Sequence, residues 1–242
     1  MLYLEIIMKK IVLTFFISSI FYNDSFSQSS TFNLSGYDDT KIHYGFLLGL
    51  HSSYYRIKYS NDFTGPDFQT LHSINTKSMP GFKLGFVSDF SVIYPFDFRT
   101  LLQVSFSEYR LDYYYLDGTV FSDVRPATFL ELPLLFKYKS KRRNNFRMFI
   151  ISGFKPSLEI GAKNKDEAGE DILDLKSFDI SFEIGFGSDI FFPLFKLSPE
   201  IRYSRGLRNI LNKEIKNQYN IPIDEIIVHN ISIFFTFEGG PK

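Results

Sequence analysis

The chain has 242 residues with 27 basic and 27 acidic side chains, a formal net charge of zero, and no cysteine. The charge balance gives no reason to expect a nucleic-acid partner. The absence of cysteine excludes disulfides, thiolate metal sites, a cysteine nucleophile and a lipid-anchored lipoprotein. There are 29 Phe and 15 Tyr but no Trp, and mean hydropathy is −0.07, so the apolar residues are dispersed among polar ones.

At the N-terminus, Met8-Lys9-Lys10 is a basic start, Ile11 to Phe21 an apolar run, and Ser25-Phe26-Ser27 a small-x-small cleavage site before Gln28. This is the pattern of a secretory signal peptide over residues 1–27, with translation expected from Met8. The run is too short to span a bilayer as a helix. Residues 28–40 lack periodicity and read as a flexible periplasmic tail.

From Lys41 the chain alternates. In Phe178-Asp179-Ile180-Ser181-Phe182-Glu183-Ile184-Gly185-Phe186 every even position is Phe or Ile and every odd one Asp, Ser, Glu or Gly. A strand sends those two sets to opposite faces. Eight such segments are predicted: 42–59, 81–92, 96–111, 127–139, 146–160, 178–191, 195–204 and 227–238. The first slips phase near Ser52 and Ser53, where a bulge is expected. Pro133, Pro156 and Pro199 fall inside strand patterns and mark further bulges or strand ends.

The connections alternate in length. Those at 93–95, 140–145 and 192–194 are short, and those at 60–79, 112–126, 161–175 and 205–226 are long. Periplasmic turns and extracellular loops produce this alternation in an up-and-down barrel. The predicted fold is therefore all-β: an eight-stranded antiparallel transmembrane β-barrel over residues 41–238 in the cell outer membrane. Lipid is its first partner, and both termini lie in the periplasm.

The inward parity carries Lys83, Asp89, Asp97, Arg99, Glu131, Lys137, Arg147, Lys155, Glu159, Asp179, Glu183, Asp189, Lys196, Glu200, Arg202 and Glu238. Eight strands enclose a lumen that side chains fill. These charges are expected to pair across it, giving a polar plug and not a pore.

Candidate chemistry is sparse. His51, with Ser52, Ser53 and Asp62 nearby in sequence, is the one grouping that suggests a hydroxyl and a base. His51 reads more simply as a rim residue. Asp166, Glu167, Glu170, Asp171 and Asp174 form an acidic loop without calcium-ligand spacing. Lys137, Lys139, Lys141, Arg142 and Arg143 cluster at the second periplasmic turn, where a protein partner or anionic head groups would meet them. No catalytic, cofactor-binding or metal residue is assigned and no cofactor is expected.

The segment Thr128-Phe129-Leu130-Glu131-Leu132-Pro133-Leu134-Leu135-Phe136-Lys137-Tyr138-Lys139 resembles the LE-x-PLL-x-KY hairpin of small outer-membrane barrels from Bacteroidota. With its continuation to Arg147, the stretch Lys41 to Leu50, and Phe195-Lys196-Leu197-Ser198-Pro199-Glu200-Ile201, it resembles the PorT family, called SprT in gliding bacteria. The likeness runs from about residue 40 to 238. It implies a non-enzymatic role in type IX protein secretion, and gliding in relatives, with other secretion proteins as partners; the basic turn is a candidate place for them to bind. Two alternatives stand beside it: a small barrel acting as an adhesin or envelope-stability protein, and, more remotely, a lipid-modifying enzyme using His51.

Overall fold

The structure is a computed structural model that describes residues 32–160, 173–213 and 219–239. The signal-peptide stretch, residues 28–31, and Asp166, Glu167, Glu170 and Asp171 lie outside the described residues. Among the described residues, ten strand segments form one antiparallel sheet: β1 (Ile42–Tyr59), β2 (Leu71–Lys77), β3 (Met79–Ile93), β4 (Phe96–Tyr115), β5 (Val120–Glu131), β6 (Leu134–Lys139), β7 (Phe146–Glu159), β8 (Phe178–Phe191), β9 (Phe195–Gly206) and β10 (Ile223–Gly239). The sheet closes on itself, with β1 paired to β10 from Gly45↔Glu238 to Tyr59↔Ile223.

Ten segments make eight staves. β2 and β3 pair with successive stretches of β4 and form one stave broken at Ser78. β5 and β6 likewise pair with successive stretches of both β4 and β7, and break at Leu132–Pro133. Proline explains the second break. Leu101 N–H donates to Pro133 O at 3.0 Å and Leu132 N–H to Pro156 O at 2.9 Å. A strand residue aims its N–H and C=O to the same side, so the missing N–H of Pro156 faces the gap. Pro199 stays in β9, opposite Phe235, where the ladder to β8 lapses between Gly187↔Glu200 and Ile190↔Leu197.

Two expectations need correction. The register of β1 against both neighbours runs unbroken through Ser52 and Ser53, so there is no bulge there; the shift falls at Lys58/Tyr59. Odd residues face inward throughout, from His43 to Tyr55. What changes is the character of each face: inside turns apolar at Tyr55 and outside turns polar at Arg56. The long loops are also shorter than expected, because strands run into them. β2 occupies part of the first, and β4 and β5 continue to a turn at 116–119.

Length explains both corrections. β4 has 20 residues, where a tilted membrane strand needs about 9–11. Roughly half of it stands beyond the bilayer at the end away from the short turns. There the wall encloses an apolar cluster of Tyr55, Ile74, Tyr109, Leu111, Tyr113, Leu173, Leu175, Ile210, Leu211, Ile223 and Ile226. Closer to the short turns the polarity reverses. Phe46, Leu50, Phe86, Phe136, Ile150 and Phe186 point outward and are each more than half exposed, while the inward side chains are charged.

Phe86 is 71% exposed, which in water would make it indifferent to substitution. In a bilayer, Phe86→Arg is expected to lower the unfolding free energy by about 2–4 kcal/mol, read by urea titration in lipid vesicles. A cost near zero would mean that this face does not meet lipid.

Candidate functional site

Among the described residues, buried charge concentrates in the lumen. Of the inward charges expected from alternation, all are buried except Glu159, which is half-buried. Arg99, fully buried on β4, grips Asp89 through Nε and Nη2 at 2.6 and 2.7 Å, Glu200 at 3.0 Å and Glu238 at 3.1 Å. Lys137 and Arg147 converge on Asp189 at 3.0 and 2.6 Å. Lys196 reaches Glu238 at 2.8 Å.

A second knot centres on Glu131, which takes Lys83 at 3.0 Å and Lys155 at 3.1 Å. Lys155 continues to Glu183 at 3.5 Å, and Glu183 to Arg202 at 2.8 Å. Glu200 joins the two knots, with Oε1 on Arg202 and Oε2 on Arg99. Lys139–Asp97 and Arg125–Glu159, each at 2.7 Å, stand apart as separate pairs.

Two aromatic rings lie among these charges, and the alternation did not single them out. Phe234 rests against Gly49, where a Cβ would come within 2.7 Å of the ring, and faces Arg202 at 4.5 Å. Phe149 rests against Gly187, where a Cβ would come within 2.6 Å, and faces Lys137 at 4.1 Å. Cations desolvated over aromatic faces gain a further electrostatic partner.

At the end with the short turns, residues 32–40 dock across the mouth as a strap. Tyr37 is 1% exposed. Its hydroxyl donates to Glu238 Oε2 at 2.6 Å, and its ring stacks on His43 at 3.7 Å. Asn33 Nδ2 donates to Phe191 O at 2.9 Å, and Asp38 accepts from Arg147 Nη1 at 2.6 Å. Arg142 donates to the carbonyls of Asn33 and Leu34 and lies 3.7 Å from the Phe191 ring.

The strap also completes a charge balance. The connected network holds seven cations, Lys83, Arg99, Lys137, Arg147, Lys155, Lys196 and Arg202, against six carboxylates on the wall, Asp89, Glu131, Glu183, Asp189, Glu200 and Glu238. Asp38 supplies the seventh. Partial burial works against its ionisation, yet Arg147, with Lys139 and Arg142 beyond it, holds the carboxyl below its ordinary value of 3.8.

The candidate groupings fare differently. His51 is buried in the lumen, not at the rim, and its Nε2 meets Ser107 Oγ at 3.1 Å. Gly81 makes room for it, since a Cβ there would fall 2.3 Å from Nε2. Ser52 has the opposite parity and meets Ser78 Oγ at 2.5 Å on the outside, so His51 and Ser52 face different sides of the wall. Asp62 sits in a short 3-10 turn at Asn61–Thr64.

At the basic turn, Lys137, Lys139 and Arg142 are already bound to Asp189, Asp97 and the strap, leaving Lys141 and Arg143 exposed. Of the acidic loop, Asp174 is described; it is buried and takes Asn212 N–H on its carbonyl at 3.0 Å. Among the described residues, no group of three or more His, Asp or Glu is placed to hold a metal ion.

A closed ring with a lipid-facing apolar band and a charge-filled lumen defines a small outer-membrane barrel. Residues 26–212 match the family model described as outer membrane protein beta-barrel domain. The chain belongs to that family, and its location is the outer membrane. None of the curated proteins compared with it matches.

Among solved structures it is similar to OprG of Pseudomonas aeruginosa, at 11% identity and a TM-score of 0.45, covering 82% of this chain and 96% of that one. The outer membrane protease OmpT of Escherichia coli gives 11% identity and 0.41, covering 82% and 95%. Ail, the attachment invasion locus protein of Yersinia pestis, gives 12% and 0.38, covering 82% and 99%. The ring closure and the family match define the fold; likenesses at these scores add nothing to it.

Two outcomes test the site. Arg99→Met leaves Asp89, Glu200 and Glu238 short of a cation, and is expected to cost about 3–5 kcal/mol, measured as a shift of the urea midpoint in micelles. The strap should loosen with acid. The Asp38 carboxylate is stabilised in the folded state, so its contribution is complete above about pH 4 and is lost as pH falls through its lowered value. Protection of the amides at residues 33–40, taken relative to the unstructured-chain exchange rate at each pH, should fall between pH 5 and pH 2, and Asp38→Asn should flatten much of that dependence.

Proposed function

We propose that this protein is a non-enzymatic, non-conducting outer-membrane barrel that supports type IX protein secretion through surfaces at its two ends. The observation that carries the mode of action is the lumen. Ion pairs run from wall to wall and a strap covers one mouth, which favours a scaffold over a conduit. The secretion role rests on the sequence resemblance of residues 128–147, 41–50 and 195–201 to the PorT family. The partners in this reading are other secretion proteins, engaged on the periplasmic side, where Lys141 and Arg143 remain exposed.

A second reading, adhesion or envelope maintenance, is favoured by the extracellular extension. Its hairpin exposes Leu116 and Val120 at the tip, and exposed apolar residues beyond a membrane suit contact with another surface. The opposite facing of His51 and Ser52 removes that pairing, His51 meeting Ser107 inside the lumen instead, and unchanged lipid profiles on deletion would end the enzymatic reading.

The deciding experiment is a clean deletion, with culture supernatant and periplasm profiled by mass spectrometry. Proteins with a C-terminal sorting domain should disappear from the medium and accumulate in the periplasm. Normal export would sink the secretion role and leave adhesion or envelope maintenance as the working function.

A further inference from the structure

Near the extracellular rim the ring opens between two of its staves. β1 and β3 are paired as far as Ser53↔Met79. Beyond that point β1 pairs only with β10, and β2 pairs only with β4. A cleft of about 550 Å³ separates the two, lined by Tyr54, Arg56 and Tyr59 on one side and by Ile74, Thr76 and Lys77 on the other. β2 pairs with Arg110 to Tyr115 of β4, the part farthest from the short turns, so the cleft stands outside the membrane.

The β2 edge already binds something that imitates a strand. Tyr59 Oη donates to Ile74 O at 2.9 Å and accepts from Ile74 N at 3.0 Å. These are the two bonds that a residue of a neighbouring strand would exchange with Ile74. Alternation directs the N–H and C=O of Thr76 to the same side. Open edges are commonly blocked by proline or a bulge. Here one side chain, which also lies against Phe63 at 4.3 Å between ring centroids, covers one residue of the edge.

We propose that the open edge of β2 is a docking site for an extended polypeptide segment, which adds as a strand in the cleft and displaces the Tyr59 hydroxyl. Backbone pairing supplies the affinity and the two faces of the cleft supply the specificity. The inner side presents Tyr55, Ile57 and Ile74, and the outer side Tyr54, Arg56 and Lys77. Lys77 shares Asp112 with Arg110 at 2.9 and 2.7 Å, so the outer side is net positive. The segment it fits alternates apolar with acidic residues. This site does not depend on the secretion role.

The test uses the refolded full-length barrel in micelles and a fluorescein-labelled peptide of alternating Val and Glu, read by anisotropy. Tyr59→Phe frees both groups of Ile74 and should bind the peptide about tenfold tighter than the unaltered protein. A peptide methylated on alternate backbone nitrogens should lose that affinity. Thr76→Pro removes a donor from the open edge without touching the β4 ladder, and should weaken binding about tenfold or more. Folding of each variant is checked by heat-modified gel mobility, and if Thr76→Pro does not fold, the methylated peptide decides. Equal binding of methylated and unmethylated peptides, or no binding by Tyr59→Phe, would overturn the proposal. So would a Tyr59→Phe protein that dimerises and ignores the peptide, since the edge would then belong to a second copy.

Discussion

Charges in a lumen too narrow for bulk water must neutralise one another, and the rest of this molecule is arranged around that requirement. An isolated carboxylate or ammonium in such a place costs several kcal/mol. The wall therefore delivers cations and anions from nearly every stave to a shared centre, with Glu200 between Arg99 and Arg202 and Asp189 between Lys137 and Arg147. Within that shared centre no pair is independent of the next. Such a network stabilises little compared with an apolar filling of equal volume, but it makes one register the only satisfactory one. A slip of one residue would turn every lumen charge toward lipid.

The strap belongs to the same electrostatic unit. Tyr37 spans the seam where the first and last staves meet, stacking on His43 of β1 and bonding Glu238 of β10. Arg147 uses one nitrogen for Asp189 in the lumen and another for Asp38 of the strap. Those partners lie far apart in sequence and come together only when the ring is closed. Docking of residues 32–40 is thus a consequence of closure, and in turn ties the seam shut.

The barrel was legible in the sequence because lipid on one side and charge on the other impose a period of two that no other element shares. Segments such as Phe178 to Phe186 state it outright, and of the inward charges named from parity alone all but Asp97, Glu159 and Asp179 reappear in the network. The strap was not legible. Tyr37 and Asp38 act through contacts with residues far away in sequence, and nothing in Ser35-Gly36-Tyr37-Asp38-Asp39 repeats. His51 misled for a related reason: three neighbours in sequence, His51, Ser52 and Ser53, look like a cluster, but a strand divides them between two faces. Pro133 and Pro156 looked like two separate defects, yet they flank one gap in neighbouring strands.

The phase slip at Ser52 carries a wider point about where the membrane ends. A strand that leaves the bilayer keeps its geometry but changes solvent. Below Ser53 the outside must be apolar and the inside can be charged. Above it the outside meets water, and the inside has to build a core as a soluble sandwich would. Tyr55, Tyr109 and Leu111 therefore occupy the parity that His51, Gln103 and Ser105 hold lower down. The inversion maps the outer boundary of the membrane onto the wall more directly than loop length does. It also leaves the extension with an interior apolar enough to hold its shape while β1 and β2 part company at the rim.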